Sequence, residues 1–349
     1  MTTLTVPKNT LKIVIPKATW PMERRVPLVP AATKVLVEQG HDVFVQAGAG
    51  SGIDVPDNKY AEVGATVITE ANELYAQAKD GGMVITLKAP SPEEFSFMNE
   101  STLFCMLHIE QNMDRLYYLG SQKLLGVAME EIRDKRDERL IDQTSLTGEM
   151  GVLYAIRHFQ KAPQDMKVVI LGYGHVAKGA IDVCSRLGMD YKILRKRELK
   201  NLPQWLSDAD LLINAISWPE KQREKKEYLV TQEMIQNSKP GMIVLDLAVD
   251  FPNPIETIRP TDYQNPFYMA ESRVHISIYG YPGLVPVTSS ERYSDQILPV
   301  AMTIANNGGL ADIKKTGELG TFIHHAIVDP AKHEWEKFKP LVSSGSKLE

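Results

Sequence analysis

Cysteine is nearly missing from this 349-residue chain, which has only Cys105 and Cys184. Both lie in apolar runs, one strand-like and one helix-like, so buried free thiols are expected and a disulfide framework is excluded. No stretch approaches the roughly 20 consecutive apolar residues of a membrane span. The opening "MTTLTVPKNT" lacks the apolar centre of a signal peptide. Strong charge of one sign is also missing: 39 Lys and Arg stand against 44 Asp and Glu, a net charge of -5. That balance argues against a broad nucleic-acid surface. The eight histidines are scattered, no cluster has metal-ligand spacing, and no repeat recurs at solenoid periods. No metal, nucleic acid or membrane is therefore expected as a partner, and the expected location is cytoplasmic. What is present is an ordinary globular composition, 43% hydrophobic and 24% charged, long enough for one large or two medium domains.

Short apolar runs alternate with helical patterns almost to the end. "LKIVI" (11–15), "DVFVQ" (42–46), "MVITL" (83–87), "TLFCML" (102–107) and "LLGVA" (124–128) read as buried strands. "AATKVLVEQG" and "EANELYAQAK" between them read as helices. The charged "EEIRDKRDERL" (130–140) reads as a solvated turn, and "TGEMGVLYAIRHFQ" (147–160) as a long helix. After "APQD" (162–165) a second series begins with "KVVIL" (167–171), "YKIL" (191–194), "ADLLINA" (209–215), "MIVLDL" (242–247) and "VHISI" (274–278). A helix follows at 290–307, and the polar tail from 342 is expected to fray. Short strands separated by helices imply parallel βαβ units. The expected fold is α/β: two Rossmann-like, doubly wound parallel-sheet domains with a cleft between them. Residues 1–145 plus 290–349 form the substrate domain, and 146–289 the dinucleotide-binding domain.

The stretch "VVILGYGHVAKGA" carries the first chemical signal. Gly172 and Gly174 follow an apolar strand, and Ala177 completes a GxGxxA pattern. The first glycine permits the tight turn and the second lets the backbone approach a pyrophosphate. The small third residue lets helix and strand pack closely. The amides at the start of the helix then face the phosphates. After "YKIL", where such sites usually place an acid on the adenosine ribose, the chain has Arg195, Lys196 and Arg197. Arginine repels no phosphate and binds it in a bidentate way, so NADP(H) is expected in preference to NAD.

The second signal is a set of strand-end residues. Lys17, Glu23, Arg24 and Arg25 follow the first strand, Lys88 ends a later one, and His108 ends the next. Ligands of open α/β sheets bind beyond the C-terminal ends of the strands. An arginine with a lysine and a histidine suits a carboxylate-bearing keto or imino substrate. Arginine holds the carboxylate, while lysine or histidine donates to the carbonyl or imine and moves protons. "VLDLAVD" adds Asp246 within a strand and Asp250 after it, on the side expected to face a cofactor. His324 and His325, in a late helix, read as surface residues.

Taken together these motifs resemble the alanine dehydrogenase and pyridine nucleotide transhydrogenase family. The likeness runs from "PK…ERRVPLVP" through "GAGSGI" (48–53), "LKAP" (87–90), His108 and the dinucleotide turn to "DLAVD" with "IE" (255–256). Within it the chain is most similar to the N5-(carboxyethyl)ornithine synthase branch, which condenses pyruvate with the side-chain amine of ornithine using NADPH. Saccharopine dehydrogenases belong to the same family. The resemblance implies that Arg25 and Lys88 bind the keto acid and that His108 is the acid/base group. It implies that Asp250 completes the site near the nicotinamide. Gly172, Gly174 and Ala177 would hold the pyrophosphate, and Arg195 with Lys196 the 2′-phosphate. The implied partners are a 2-oxo acid and an amino-acid amine, and, because relatives assemble symmetrically, further copies of the chain in a homo-oligomer. Three features depart from alanine dehydrogenases: the basic residue at 195 where they have an acid, the GxGxxA turn where they have GxGxxG, and Gly280 where they have asparagine. The loss of that asparagine leaves room for a larger amine than ammonia. The alternatives are ammonia-dependent reductive amination of pyruvate, saccharopine-type chemistry, and a non-catalytic NADPH-binding protein.

Overall fold

The computed structural model describes residues 10–340. The frayed tail expected from residue 342 and the opening nine residues lie outside them. The chain divides into two compact units, one running up to Asp142 and resuming at Pro286, the other spanning Gln143–Val285. Its strands are β1 (Lys12–Ile15), β2 (Asp42–Gln46), β3 (Thr66–Ile68), β4 (Met83–Lys88), β5 (Thr102–Met106), β6 (Leu125–Ala128), β7 (Lys167–Leu171), β8 (Asp190–Leu194), β9 (Leu211–Asn214), β10 (Ile243–Asp246), β11 (Tyr268–Ala270), β12 (Arg273–Ile276) and β13 (Ile327–Val328).

The first unit holds a seven-stranded sheet in the order β13-β6-β5-β4-β1-β2-β3. The six strands β1 to β6 run parallel, and β13 pairs antiparallel with β6. Alternation along β1 explains the layers: Ile13 and Ile15 enter one core, Val14 the other. A strand buried on both faces needs apolar residues at every position, which is why these strands read as continuous runs rather than alternating ones. Chain order reverses between β1 and β4, which are neighbours while β2 lies on the far side of β1. That reversal opens a crevice at the strand ends.

The second unit repeats the scheme with six strands, β11-β12-β10-β9-β7-β8, parallel except for β11. Val168 and Ile170 face one core, Val169 and Leu171 the other. Its reversal falls between β7 and β9. The helix Thr144–Ala155 lies against the helix His175–Arg186 at very short range. A Cβ on Gly148 would fall 2.0 Å from the Val176 carbonyl oxygen, and one on Gly179 would fall 1.8 Å from that of Ser145.

Several sequence expectations are corrected. Each sheet carries one antiparallel edge strand, so both are mixed; β11 and β13 have three and two residues and give no readable pattern. β3, also three residues long, escaped for the same reason. The helix expected at 147–160 starts at Thr144, ends at Ala155 and tightens to a 3-10 turn, with Pro163 soon after. The helix expected from 290 begins at Pro286, whose fixed φ suits a first helical position. In the charged stretch 130–140, Glu130 and Ile132 are buried, and only the remainder is a turn, closed by a bridge between Arg133 and Arg139. Cys105 and Cys184 are buried free thiols, as expected. No helix of the described residues is long and apolar enough to cross a membrane.

Candidate functional site

In the first unit the loop after β1 and the end of β4 meet at the sheet's point of reversal. They line one pocket with Lys17, Trp20, Glu23, Arg25, Lys88 and Glu94 among its walls. Arg25 is buried, and Glu23 holds it from both sides of the fork: Nε donates to Oε1 at 2.7 Å and Nη2 to Oε2 at 2.5 Å. Lys88 Nζ lies 3.8 Å from the same Glu23 Oε2 and 4.8 Å from the centre of the Trp20 ring. Two cations thus share one carboxylate, leaving a net positive pocket suited to an anion. Burial works to raise the Glu23 pKa, but the Arg25 hydrogen bonds and the charges of Arg25 and Lys88 outweigh it and hold it low. Burial lowers the Lys88 pKa, Glu23 opposes that shift, and Arg25 adds to it.

Trp20 is fixed by its Nε1–H, which donates to the Ala89 carbonyl at 2.9 Å. Glu94 ties the pocket wall together. It accepts from Thr19 Oγ1 at 2.8 Å, from Tyr75 OH at 3.0 Å and from the Ser91 amide at 2.8 Å, as part of a capping box on the helix Pro92–Phe97.

His108 follows β5 and adopts a left-handed backbone, φ 44° and ψ 50°. Glu130, which follows β6, accepts from the amides of Leu107 and His108. Its Oε1 lies 3.8 Å from His108 Nδ1. The Arg115 guanidinium donates to the Leu107 carbonyl, so the backbone before the histidine is held on both sides. Burial lowers the His108 pKa; Glu130 opposes this, and Arg115 and Arg139 add to it.

In the second unit Gly172 has φ +98°, and a Cβ there would sit 3.0 Å from the Ala215 carbonyl oxygen, so glycine is required. Gly174 caps the helix His175–Arg186, and a Cβ on it would meet nothing within 4 Å. Ala177 is fully buried under the turn. This open cradle with helix amides at its edge fits a dinucleotide pyrophosphate. Arg195 follows β8 directly; its guanidinium lies 4.7 Å from the centre of the exposed Tyr173 ring, within the turn itself. Lys196 is exposed beside it.

Asp246 and Asp250 part company. Asp246 is fully buried and accepts from Asn214 and Asn253 at 2.8 Å, from Ser277 Oγ at 2.7 Å and from the amides of Ala248 and Val249. Burial raises its pKa against those bonds. It is the internal knot of this sheet end, its carboxylate oxygens taken up by five donors of the protein itself. Asp250 is half-buried, accepts from the Trp218 amide at 2.7 Å and faces Arg223 at 3.6 Å.

The structure therefore brings Arg25 and Lys88 into one pocket of the first unit. Gly172, Gly174, Ala177 and Arg195 gather at one sheet end of the second. Sequence reasoning left Glu23 as a bystander and folded Glu130 into a solvated turn. Glu130 was findable: it stands just after an apolar strand, as His108 does. Among the described residues no group of His, Cys, Asp and Glu has metal-binding geometry.

Residues 14–147 match the family model for the alanine dehydrogenase/PNT N-terminal domain, and residues 192–323 that for its C-terminal domain. An alanine dehydrogenase of Staphylococcus epidermidis is 30% identical over 85% of this chain and 88% of its own length. One of Methanococcus maripaludis is 28% identical with the same coverage. Among solved structures, an L-alanine dehydrogenase superposes with a TM-score of 0.80 at 25% identity, covering 92% of this chain and 96% of that one. A transhydrogenase from Sinorhizobium meliloti shares the fold, with a TM-score of 0.73 at 22% identity, covering 84% of this chain and 95% of that one.

Proposed function

Because the chain belongs to the alanine dehydrogenase/PNT family and is a pyridine-nucleotide-dependent oxidoreductase, we propose that it reduces, with NADPH, the imine formed between a 2-oxo acid and an amino-acid amine. The observation that carries the substrate half is the pocket where Glu23 is shared between Arg25 and Lys88 at the reversal of the first sheet. Arg25 receives the 2-oxo carboxylate, Lys88 the carbonyl or imine, and His108 donates and accepts the proton. Glu23 fixes the two cations before substrate arrives. Positioning of this kind can account for about 7–11 kcal/mol of a barrier. Excluding water matters equally, since imines hydrolyse.

A bound nicotinamide cofactor supplies the hydride. Gly172, Gly174 and Ala177 hold its pyrophosphate, and Arg195, stacked on Tyr173, receives the 2′-phosphate with Lys196. The basic residues at 195 and 196 are what favour NADPH over NADH. Asp250 completes the reacting end. Gly280, with φ +95°, puts no side chain at the loop after β12, which supports a bulkier amine than ammonia. The first unit is thus the substrate domain, the second the dinucleotide domain, and the working enzyme a homo-oligomer.

Ammonia-dependent alanine dehydrogenation is the second reading, favoured by the names of the relatives. The deciding experiment follows oxidation of NADPH and NADH by the purified protein. Pyruvate, glyoxylate and 2-oxoglutarate are each paired with ammonia, ornithine and lysine. NADPH consumption with an organic amine is the expected result. Consumption with ammonia alone, or a preference for NADH, assigns alanine dehydrogenase chemistry instead.

A further inference from the structure

Asp250 stands at the end of a turn that fixes its direction. Val249, just before it, has φ +54°, a left-handed backbone that a β-branched residue adopts only at a cost. Two contacts hold that conformation. The Val249 amide donates to the buried Asp246 carboxylate at 3.1 Å, and the valine side chain packs against the core of the second unit. On the other side Asn253 Nδ2 donates to Asp246 at 2.8 Å and to the Asp250 carbonyl at 3.2 Å. The Asp250 backbone is thus tied from both directions to the knot at this sheet end.

Its side chain is held by a different element, the loop "AISWPEKQREKKEYLV" (215–230) that follows β9. Asn214 and Asp246 are paired at the ends of the parallel strands β9 and β10, so the loop and the Asp250 turn leave the sheet side by side. The Trp218 amide donates to Asp250 Oδ2 at 2.7 Å. Arg223, on the short helix Glu220–Glu224, brings Nη1 to 3.6 Å from Oδ1, an ion pair rather than a hydrogen bond. The Trp218 indole donates to the Glu227 carbonyl at 3.1 Å, which closes the loop on itself across that helix. Each carboxylate oxygen therefore faces a donor from one loop, and the carboxylate cannot turn without losing both. Among the described residues Asp250 is the one carboxylate that pairs with Arg223, and Arg223 Nε is buried with no hydrogen-bond partner. As a stabilising ion pair on a partly exposed loop the contact would count for little. As a means of aiming a carboxylate it is well placed.

We propose that Arg223 is a positioning residue: together with the Trp218 amide it orients the Asp250 carboxylate at the reacting end, and the loop after β9 is the arm that delivers it. This rests on the reading that places Asp250 at the reacting end. Every group involved belongs to the second unit.

The test is a double-mutant cycle on Arg223→Gln and Asp250→Asn, with Arg223→Lys beside it. Turnover is measured with NADPH and pyruvate, using ornithine and ammonia in turn, and NADPH binding is titrated by fluorescence. A misplacement of an ångström at a reacting centre costs up to about a hundredfold. Arg223→Gln is therefore expected to lower kcat by about tenfold or more, with Arg223→Lys in between and the NADPH Kd nearly unchanged. In the Asp250→Asn background Arg223→Gln should lower kcat no further, because the group it aims is already lost. Losses that multiply in the double variant, or an unchanged kcat in Arg223→Gln, overturn the proposal. Arg223→Lys, which keeps the charge and loses the fork, carries the same cycle should the glutamine variant not fold. Near-normal turnover of Asp250→Asn, or no NADPH consumption by the wild type with either amine, means that the reading of the reacting end has failed and takes this inference with it. Neither result resembles multiplying losses from two impaired single variants.

Discussion

His108 owes its environment to a residue from another strand end. Glu130 holds the two amides that set its backbone and supplies the nearest negative charge to its ring, while burial, Arg115 and Arg139 all work against the imidazolium. Replacing His108 with alanine should cost about 10²–10⁴ in turnover, the usual share of general acid–base catalysis, while NADPH still binds. Near-normal turnover would remove His108 from the mechanism. Glu130→Gln separates charge from shape. Glu130 raises the His108 pKa, so its neutralisation must lower that pKa further. In the reductive direction, where His108 donates, the limb of kcat/KM that falls with rising pH should then move to lower pH. A limb that stays in place would mean that another group carries the proton. At the cofactor end, a charge-assisted bond to a phosphate contributes about 1.5–3 kcal/mol, or roughly ten- to a hundredfold in affinity. Arg195→Ala should weaken NADPH binding by that factor in a fluorescence titration and change NADH binding little. An equal loss for both would deny Arg195 its discriminating role.

At the scale of elements, two glycines six residues or fewer from each other answer to different masters. Gly179 sits where the helix His175–Arg186 meets the helix Thr144–Ala155, and a methyl group there overlaps the Ser145 carbonyl. Gly179→Ala must push the helices apart, at about 1–3 kcal/mol for overpacking, so a lower unfolding midpoint is expected in thermal denaturation. Gly174 has φ -85° and open space where the methyl group would go. Gly174→Ala should leave the midpoint within a degree or two and weaken dinucleotide binding, because the methyl occupies the approach of the pyrophosphate. Loss of stability in Gly174→Ala with binding intact would reverse the assignment. The same contrast explains what could be read beforehand. Gly172 and Gly174 were legible because their spacing repeats a known backbone requirement after an apolar strand. Gly148 and Gly179 serve a contact between elements distant in sequence, and nothing local announces it. The buried strands were legible because both faces of each sheet are covered, which forces continuous apolar runs. The edge strands β3, β11 and β13 were not, since two or three residues carry no period. Glu130 was lost to the charge of its neighbours, although its position two residues past β6 matches that of His108 past β5.

On the scale of the whole molecule, each unit contains a buried histidine that serves as an uncharged structural joint. In the first unit the Leu11 amide donates to His41 Nδ1 at 3.3 Å, so that nitrogen carries no proton, and Nε2 pairs with Asn306 Oδ1 at 3.1 Å. The joint links the start of β1 to the last turn of the helix Pro286–Asn306. In the second unit His275 lies between the Arg273 carbonyl and Thr257 Oγ1. Burial lowers the pKa of both rings. A group whose folded pKa lies below its unfolded value binds more protons when unfolded, so stability rises with pH across that interval. Their contribution is complete above the ordinary histidine value of about 6.5 and is lost as pH falls through the lower folded values. Glu23, also lowered, acts in a separate and more acidic window, and Asp246, raised by its burial, has the opposite sign. The midpoint of thermal unfolding should therefore hold steady from pH 8 to 7 and decline from about 6.5 downward, before the carboxylates take part. His41→Gln removes one of these titrations. Its midpoint should start lower at pH 7.5, because the Leu11 and Asn306 partners lose their fitted imidazole, and should fall less steeply between pH 6.5 and 5 than the wild type does. The slope matters more than the offset: any poorly packed variant lowers the midpoint, but only loss of a titrating joint flattens its pH dependence. An unchanged slope would mean that His41 is protonated without cost in the folded chain, against the Leu11 amide that points at it.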